Sequence, residues 1–166
     1  FLPARNSARQ DLEKQFLGRT QHADAFAFRY GRSGLYFLLK FLGAENKKVI
    51  LPSYTCVVVA HAIHKAGAIP IFLDNSDGRF QPDPEQYLKA IDADTAMIIP
   101  THLFGIAEET KELCEKIKER YPDVFVLQDC AHSFFCEDQS GHPVTDYGDG
   151  ALFGMNISKL VNSVKG

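Results

Sequence analysis

Short apolar runs alternate along this chain with stretches in which apolar residues recur at helical spacing. Residues 9–17 (RQDLEKQFL) and 31–43 (GRSGLYFLLKFLG) predict helices, the second stopped by Gly43. KKVILP (47–52) predicts a strand closed by Pro52. CVVVAHAIHKAG (56–67) predicts a largely buried helix ended by Gly67, although its three valines would also suit a strand. Further strands are predicted in AIPIFLD (68–74), in TAMIIPTHLFG (95–105, running into a loop), in VFVLQ and in DGALFG (149–154). DPEQYLKAI (83–91) opens with a capping Asp and a Pro at the first helical position. A charged helix from about Glu108 to Arg120 carries Leu113 and Ile117 one turn apart among Lys and Glu, the mark of a solvated outer face.

Alternation of this kind predicts an α/β fold with a mainly parallel sheet and helices on both faces. No internal repeat, low-complexity tract or linker interrupts the 166 residues, a length suited to one core. Ligands of such sheets sit beyond the carboxyl ends of the strands. Strand ends supply Ser53 to Thr55, Asp74, Thr101, His102 and Asp129. Asp74 leads into the turn-rich DNSDG and suits a structural role; the others are expected to converge on one pocket.

Asp129 ends a buried strand, where an unpaired carboxylate is costly. Either it caps the next segment, or it meets a cation, such as the protonated ring nitrogen of pyridoxal phosphate. That cofactor also needs a lysine and a phosphate cradle at a helix start. GRSG (31–34) suits the cradle but equally suits an ordinary helix start. Lys159, in FGMNISKLVNS, is either the required amine or a surface lysine.

Charge and composition narrow the partners. A net charge of −3 gives no reason to expect nucleic acid, and no apolar run is long enough to span a bilayer. FLPARNSARQ lacks the apolar segment of a signal peptide. Cys56, Cys114, Cys130 and Cys136 form no C-x-x-C pair, which suits reduced thiols in a cytoplasmic protein. A zinc site drawn from His132, His142 and Cys136 matches no standard ligand spacing, so no metal is expected.

Read in order, GRSGLYFLLKFLG, VILPSYTC, AGAIPIFLD, IIPTHLFG, VLQDCAHSF and GDGALFGMNISK resemble the DegT/DnrJ-type sugar aminotransferases. The resemblance runs from about residue 25 to the end. It implies the fold of aspartate aminotransferase (fold type I), with pyridoxal 5′-phosphate as cofactor, a nucleotide-linked keto-sugar as substrate and an amino acid, glutamate, as donor. It further implies polysaccharide biosynthesis and a homodimer with shared active sites. By the same resemblance Lys159 is the Schiff-base lysine and Asp129 the partner of the pyridinium nitrogen. His132 then flanks the ring, while Arg32 and Ser33 offer backbone N–H groups to the phosphate. Three positions depart from the family pattern. Cys56 replaces a stacking aromatic residue, Gly154 replaces a phosphate-binding serine, and MNIS replaces the usual aromatic-Pro-Gly run before the lysine.

The family continues well beyond the point at which this sequence ends, at Gly166. Residues 1–166 are therefore expected to be the amino-terminal part of a large domain, without its remainder or the small carboxy-terminal domain. Other reactions on the same fold (a lyase or desulfurase) and a non-catalytic regulatory module are the alternatives.

Overall fold

The structure, a computed structural model, describes residues 4–156 and residue 159. Ile157, Ser158 and residues 160–166, which include part of the MNIS run, lie outside the described residues. Five strands form one parallel sheet: β1 (Lys48–Pro52), β2 (Ile69–Leu73), β3 (Thr95–Ile98), β4 (Phe125–Asp129) and β5 (Gly150–Leu152). Their spatial order is β2-β1-β3-β4-β5. The chain leaves β1 on one side to make β2, then crosses back to place β3 on the other. Winding thus reverses between β1 and β3, where a crevice forms at the carboxyl ends.

Among the described residues five α-helices accompany the sheet: α1 (Ala4–Leu17), α2 (Gly31–Phe41), α3 (Val57–Lys65), α4 (Pro84–Ala90) and α5 (Lys111–Arg120). Side chains alternate between the two sheet faces, as strand geometry demands. Val49, Leu51, Met97, Ile99 and Leu127 meet Leu35, Leu39, Val59 and Ile63 of α2 and α3. Ile50, Ile98 and Val126 meet Tyr87 and Leu88 of α4 and Leu113 and Ile117 of α5 on the opposite face. Both faces are therefore covered, which explains why the strands read as continuous apolar runs. Each fully buried Leu, Ile or Met here contributes about 1.5–3 kcal/mol relative to exposure.

Local chemistry sets the helix limits. Gly43 and Gly67, both at positive φ, end α2 and α3, and the amides of Ala44 and Ala68 return to the carbonyls of Leu39 and Ile63. At the start of α4, Gln86 Oε1 accepts the Asp83 N–H at 2.8 Å. The charged helix begins at Lys111 rather than near Glu108. The Glu108 amide donates instead to His102 Nδ1 at 3.0 Å, and the Glu108 carboxylate pairs with Arg79 at 2.8 Å. Asp74 has the expected structural role, its side chain accepting the Asn75 N–H and its carbonyl accepting Gln86 Nε2. Among the described residues no helix is long and apolar enough to cross a membrane.

Candidate active site

Beyond the strand ends on the α2/α3 side lies a cavity of about 840 Å³. Thr55 and Cys56 reach it from β1, Thr101 and Phe104 from β3, Asp129 and His132 from β4, and residues 152–156 from β5. The amino end of α2, part of α1 and the connection between them close the other side, and Lys159 completes the wall. Asp129 and Lys159, far apart in sequence, thus share one chamber.

Strand alternation explains which side chains arrive. Leu127 faces α2 and α3, so Asp129, two residues on, points the same way and into the cavity. Asp129 is only 4% exposed, and its Oδ1 accepts the Ala131 N–H at 3.0 Å. Burial pushes its carboxyl above the ordinary value, opposed by that hydrogen bond and by the charge of Lys159. No salt bridge reaches it among the described residues. Asp129 therefore caps the turn, as one of the two sequence readings has it, and faces the cavity without a full counter-charge.

Of the strand-end residues expected to converge, Tyr54, Thr55, Thr101 and Asp129 do so, whereas Ser53 and His102 do not. His102 follows Thr101 and so turns to the opposite face, where it is fully buried. Its Nδ1 accepts the Glu108 N–H, which assigns the proton to Nε2, 2.9 Å from Gln128 Oε1. Gln128 Nε2 in turn donates to Thr110 Oγ1 at 3.1 Å. Burial pushes the His102 imidazole pKa down and keeps the ring neutral.

His132 stands on the turn after Asp129, its pKa lowered first by burial and then by the positive charge of Lys159. A staple fixes that turn. The Gly105 N–H is shared between the His132 carbonyl and Ser133 Oγ, both at 3.1 Å, and Ser133 Oγ donates to the His102 carbonyl at 2.9 Å. At Gly154 an added Cβ would stand 3.3 Å from Ala131 Cβ and 3.4 Å from Lys159 Cε. The space a serine side chain would enter is thus occupied by the turn after Asp129 and by the stem of Lys159.

At the amino end of α2, the Ser33 N–H donates to the Tyr30 carbonyl at 2.9 Å, and Ser33 is not part of the cavity wall. The Gly34 N–H shares that carbonyl, leaving the amides of Gly31 and Arg32, which by position have no intrahelical acceptor. Gly34 is needed for a neighbour rather than a ligand, since an added Cβ would lie 3.0 Å from the Phe28 ring. The Arg32 guanidinium lies 4.5 Å over the Tyr30 ring, and that of Arg29 lies 5.5 Å from the same ring. Cys56 borders the cavity as an exposed free thiol at the start of α3. Phe16 of α1, His22 and Tyr30 also line the wall, and no periodic signal in the sequence marks the last two. Among the described residues no group of three His, Cys, Asp or Glu side chains could hold a metal ion, and His142 Nδ1 instead meets Ser140 Oγ at 3.1 Å.

Fold and cavity together define a parallel α/β domain with a carboxylate and an amine in one chamber. The sequence pattern of the DegT/DnrJ/EryC1/StrS aminotransferase family matches residues 5–166, and the chain belongs to that family. A protein of Streptoalloteichus tenebrarius assigned as an L-glutamine:3-amino-2,3-dideoxy-scyllo-inosose aminotransferase is 30% identical over 99% of this chain and 39% of its own length. GDP-perosamine synthase of Escherichia coli O157:H7 is 27% identical over 100% of this chain and 45% of its own length. The crystal structure of DesI in the presence of its TDP-sugar product superposes with a TM-score of 0.81 at 26% identity, covering 93% of this chain and 38% of DesI. The chain thus spans less than half the length of the curated relatives it matches.

Members of this family use pyridoxal 5′-phosphate, and the residues present fit that group. Asp129 offers a buried carboxylate lacking a full counter-charge, and Lys159 offers an amine in the same chamber. Thr55 Oγ1 and His22 Nε2, buried on residues of the wall, have no hydrogen-bond partner among the described residues. Buried polar atoms left in this state mark a place where a polar ligand is accommodated.

Proposed function

We propose that the protein containing this chain transfers an amino group from an amino acid, glutamate, to a keto-sugar attached to a nucleotide. The observation that carries this reading is the shared chamber of Asp129 and Lys159, with Asp129 buried and short of positive charge. Family membership and relatives named for amino-sugar synthesis support it. Bound pyridoxal phosphate supplies an electron sink for the carbon that gains or loses nitrogen.

The chain's own residues do the rest. Asp129 holds the proton on the ring nitrogen, because separating that ion pair would leave a bare carboxylate in a site that disfavours one. Amides of Gly31 and Arg32 at the positive end of α2 receive the phosphate, with the Arg32 guanidinium nearby. Lys159 Nζ anchors the cofactor and then, as a free amine, takes and returns the proton at the substrate carbon. His132, kept neutral by burial and by Lys159, flanks the ring without adding a charge that would compete with Asp129.

The share of each relative that this chain covers supports the domain reading. Residues 1–166 would be the amino-terminal part of the large domain of a homodimeric enzyme. Phe26, Phe37 and Phe41, 75%, 56% and 87% exposed on and before α2, support a second copy covering this side.

The test uses the full-length protein with added cofactor, glutamate and nucleotide-linked keto-sugars, and looks for the amino-sugar product by mass spectrometry. Lys159→Ala should abolish both turnover and the visible absorption of lysine-bound cofactor. Retention of that absorption and of product formation in the variant would overturn the reading.

A further inference from the structure

Three aromatic rings meet beside the cavity, each delivered by a different connection; Tyr54 and Phe104 line it, and Phe80 packs against both. Tyr54 follows β1, Phe80 lies between β2 and α4, and Phe104 follows β3. Tyr54 and Phe80 are stacked with centroids 5.8 Å apart, and Phe80 meets Phe104 edge-on at 5.5 Å. Tyr54 and Phe104 close the triangle at 6.4 Å. Their exposures of 48%, 42% and 57% leave ring surface open to solvent. Single exposed rings are ordinary; three in mutual contact, two of them on a cavity wall, are not.

Phe104 is also in a backbone conformation its side chain opposes. Its φ is 58° and that of Gly105 is 80°, in a turn closed by the Ile106 N–H to the Leu103 carbonyl. Glycine or asparagine suits such a position far better than phenylalanine. The staple through Gly105 and Ser133 holds the turn in place, and strain of this kind concentrates at working surfaces. The Phe104 ring lies 6.0 Å from the ring of His132, edge to face. This cluster therefore begins one ring away from a side chain standing beside Asp129 and Lys159.

We propose that Phe104, Tyr54 and Phe80 form the shelf on which the sugar ring of the substrate lies, C–H face down, with its reacting carbon directed to Lys159. This inference rests on the aminotransferase reading above and goes beyond it by assigning a subsite. The occupant is the sugar rather than the base. The reacting carbon must reach the chamber, so the ring bearing it lies within about one ring width of His132, whereas a base is held away by the diphosphate. The shelf carries no charge, so it offers nothing to the phosphates or to the carboxylate of an amino-acid donor. Binding of the two amines should therefore respond differently to its removal.

The experiment measures the two half-reactions separately in the full-length holoenzyme, by the change in cofactor absorption on mixing. L-Glutamate serves as one amine; GDP-perosamine and dTDP-4-amino-4,6-dideoxy-D-glucose serve as the other. Phe104→Gly removes the ring and relieves the backbone. It should raise the half-saturating concentration of the reacting amino sugar about tenfold, leave that of glutamate within about twofold, and not lower the melting temperature. Phe104→Tyr should behave as the parent, and Tyr54→Ala should repeat the loss for the sugar alone. Equal losses for glutamate and sugar, or no loss for the sugar, would overturn the shelf. Failure of the parent enzyme to react with glutamate would instead remove the aminotransferase reading. Reaction with glutamate but with neither amino sugar would remove the sugar as substrate, and the shelf with it.

Discussion

Replacing Asp129 by Asn alters a side chain that is 4% exposed, and its effect should reverse sign with the cofactor. Under the function proposed above, the carboxylate would be the counter-charge of the ring nitrogen in the cofactor-bound protein. An opposite charge at such range shifts a titration by roughly one to three units, or about 1.4–4 kcal/mol. The variant should therefore hold the ring proton about 10- to 1,000-fold less well at neutral pH, with turnover falling by a similar factor. Without cofactor the same carboxylate is a liability, because burial raises its pKa against the pull of the Ala131 N–H and of Lys159. Asn keeps the oxygen that accepts the Ala131 N–H and discards the charge.

The sign of the pH dependence follows from linkage. A carboxyl whose folded pKa exceeds its ordinary value of 3.8 binds its proton more tightly in the native state. Folding stability is then lost as pH rises from about that value through the raised one. Melting curves of cofactor-free protein should coincide for parent and Asp129→Asn near pH 3.5 and diverge above it, with the variant the more stable at pH 7. Absorption titrations with pyridoxal phosphate should show the reverse ranking. A variant that is less stable than the parent without cofactor at pH 7, or that holds the ring proton and turns over within about threefold of it, would refute the argument.

Two further substitutions probe the scaffold. Gly148 has φ +83°, and an added Cβ would stand 2.8 Å from Val126 Cγ1 and 2.9 Å from its carbonyl oxygen; Gly148→Ala should cost at least about 2 kcal/mol in urea unfolding, and a loss under about 0.5 kcal/mol would show that the loop relaxes freely. His102→Asn removes the hydrogen bond to Gln128 and should cost about 1–3 kcal/mol at pH 8. Because burial lowers the His102 pKa below its ordinary 6.5, the stability it confers is lost as pH falls below about that value. The gap between parent and His102→Asn should narrow toward pH 5; a constant gap would mean the imidazole does not charge on unfolding.

Helices and strands were legible wherever a run of apolar residues had to be buried. VFVLQD read as a strand because Val126 and Leu127 face opposite layers, and both layers are covered. The start of α5 was not legible, because it depends on the Glu108 amide finding His102 across a loop. For the same reason His102 was misplaced. The order of polar residues after a strand does not reveal which face the chain will show once it leaves the ladder. Ser33 stands off the cavity because helix geometry commits its amide to Tyr30.

The aromatic shelf was beyond sequence reading for a different reason. Tyr54, Phe80 and Phe104 each sit in a connection with no periodicity, and only the order of strands brings those connections together. That order also links the shelf to two of the departures from the family pattern. With a thiol at Cys56, the start of α3 contributes no ring to the chamber, while its neighbour Tyr54 joins the rings beside the cavity. With no side chain at Gly154, Lys159 and the turn after Asp129 close up into the space left free. Because the proposed shelf carries exposed rings, substrate choice is best sought in the half-reaction that Phe104 touches.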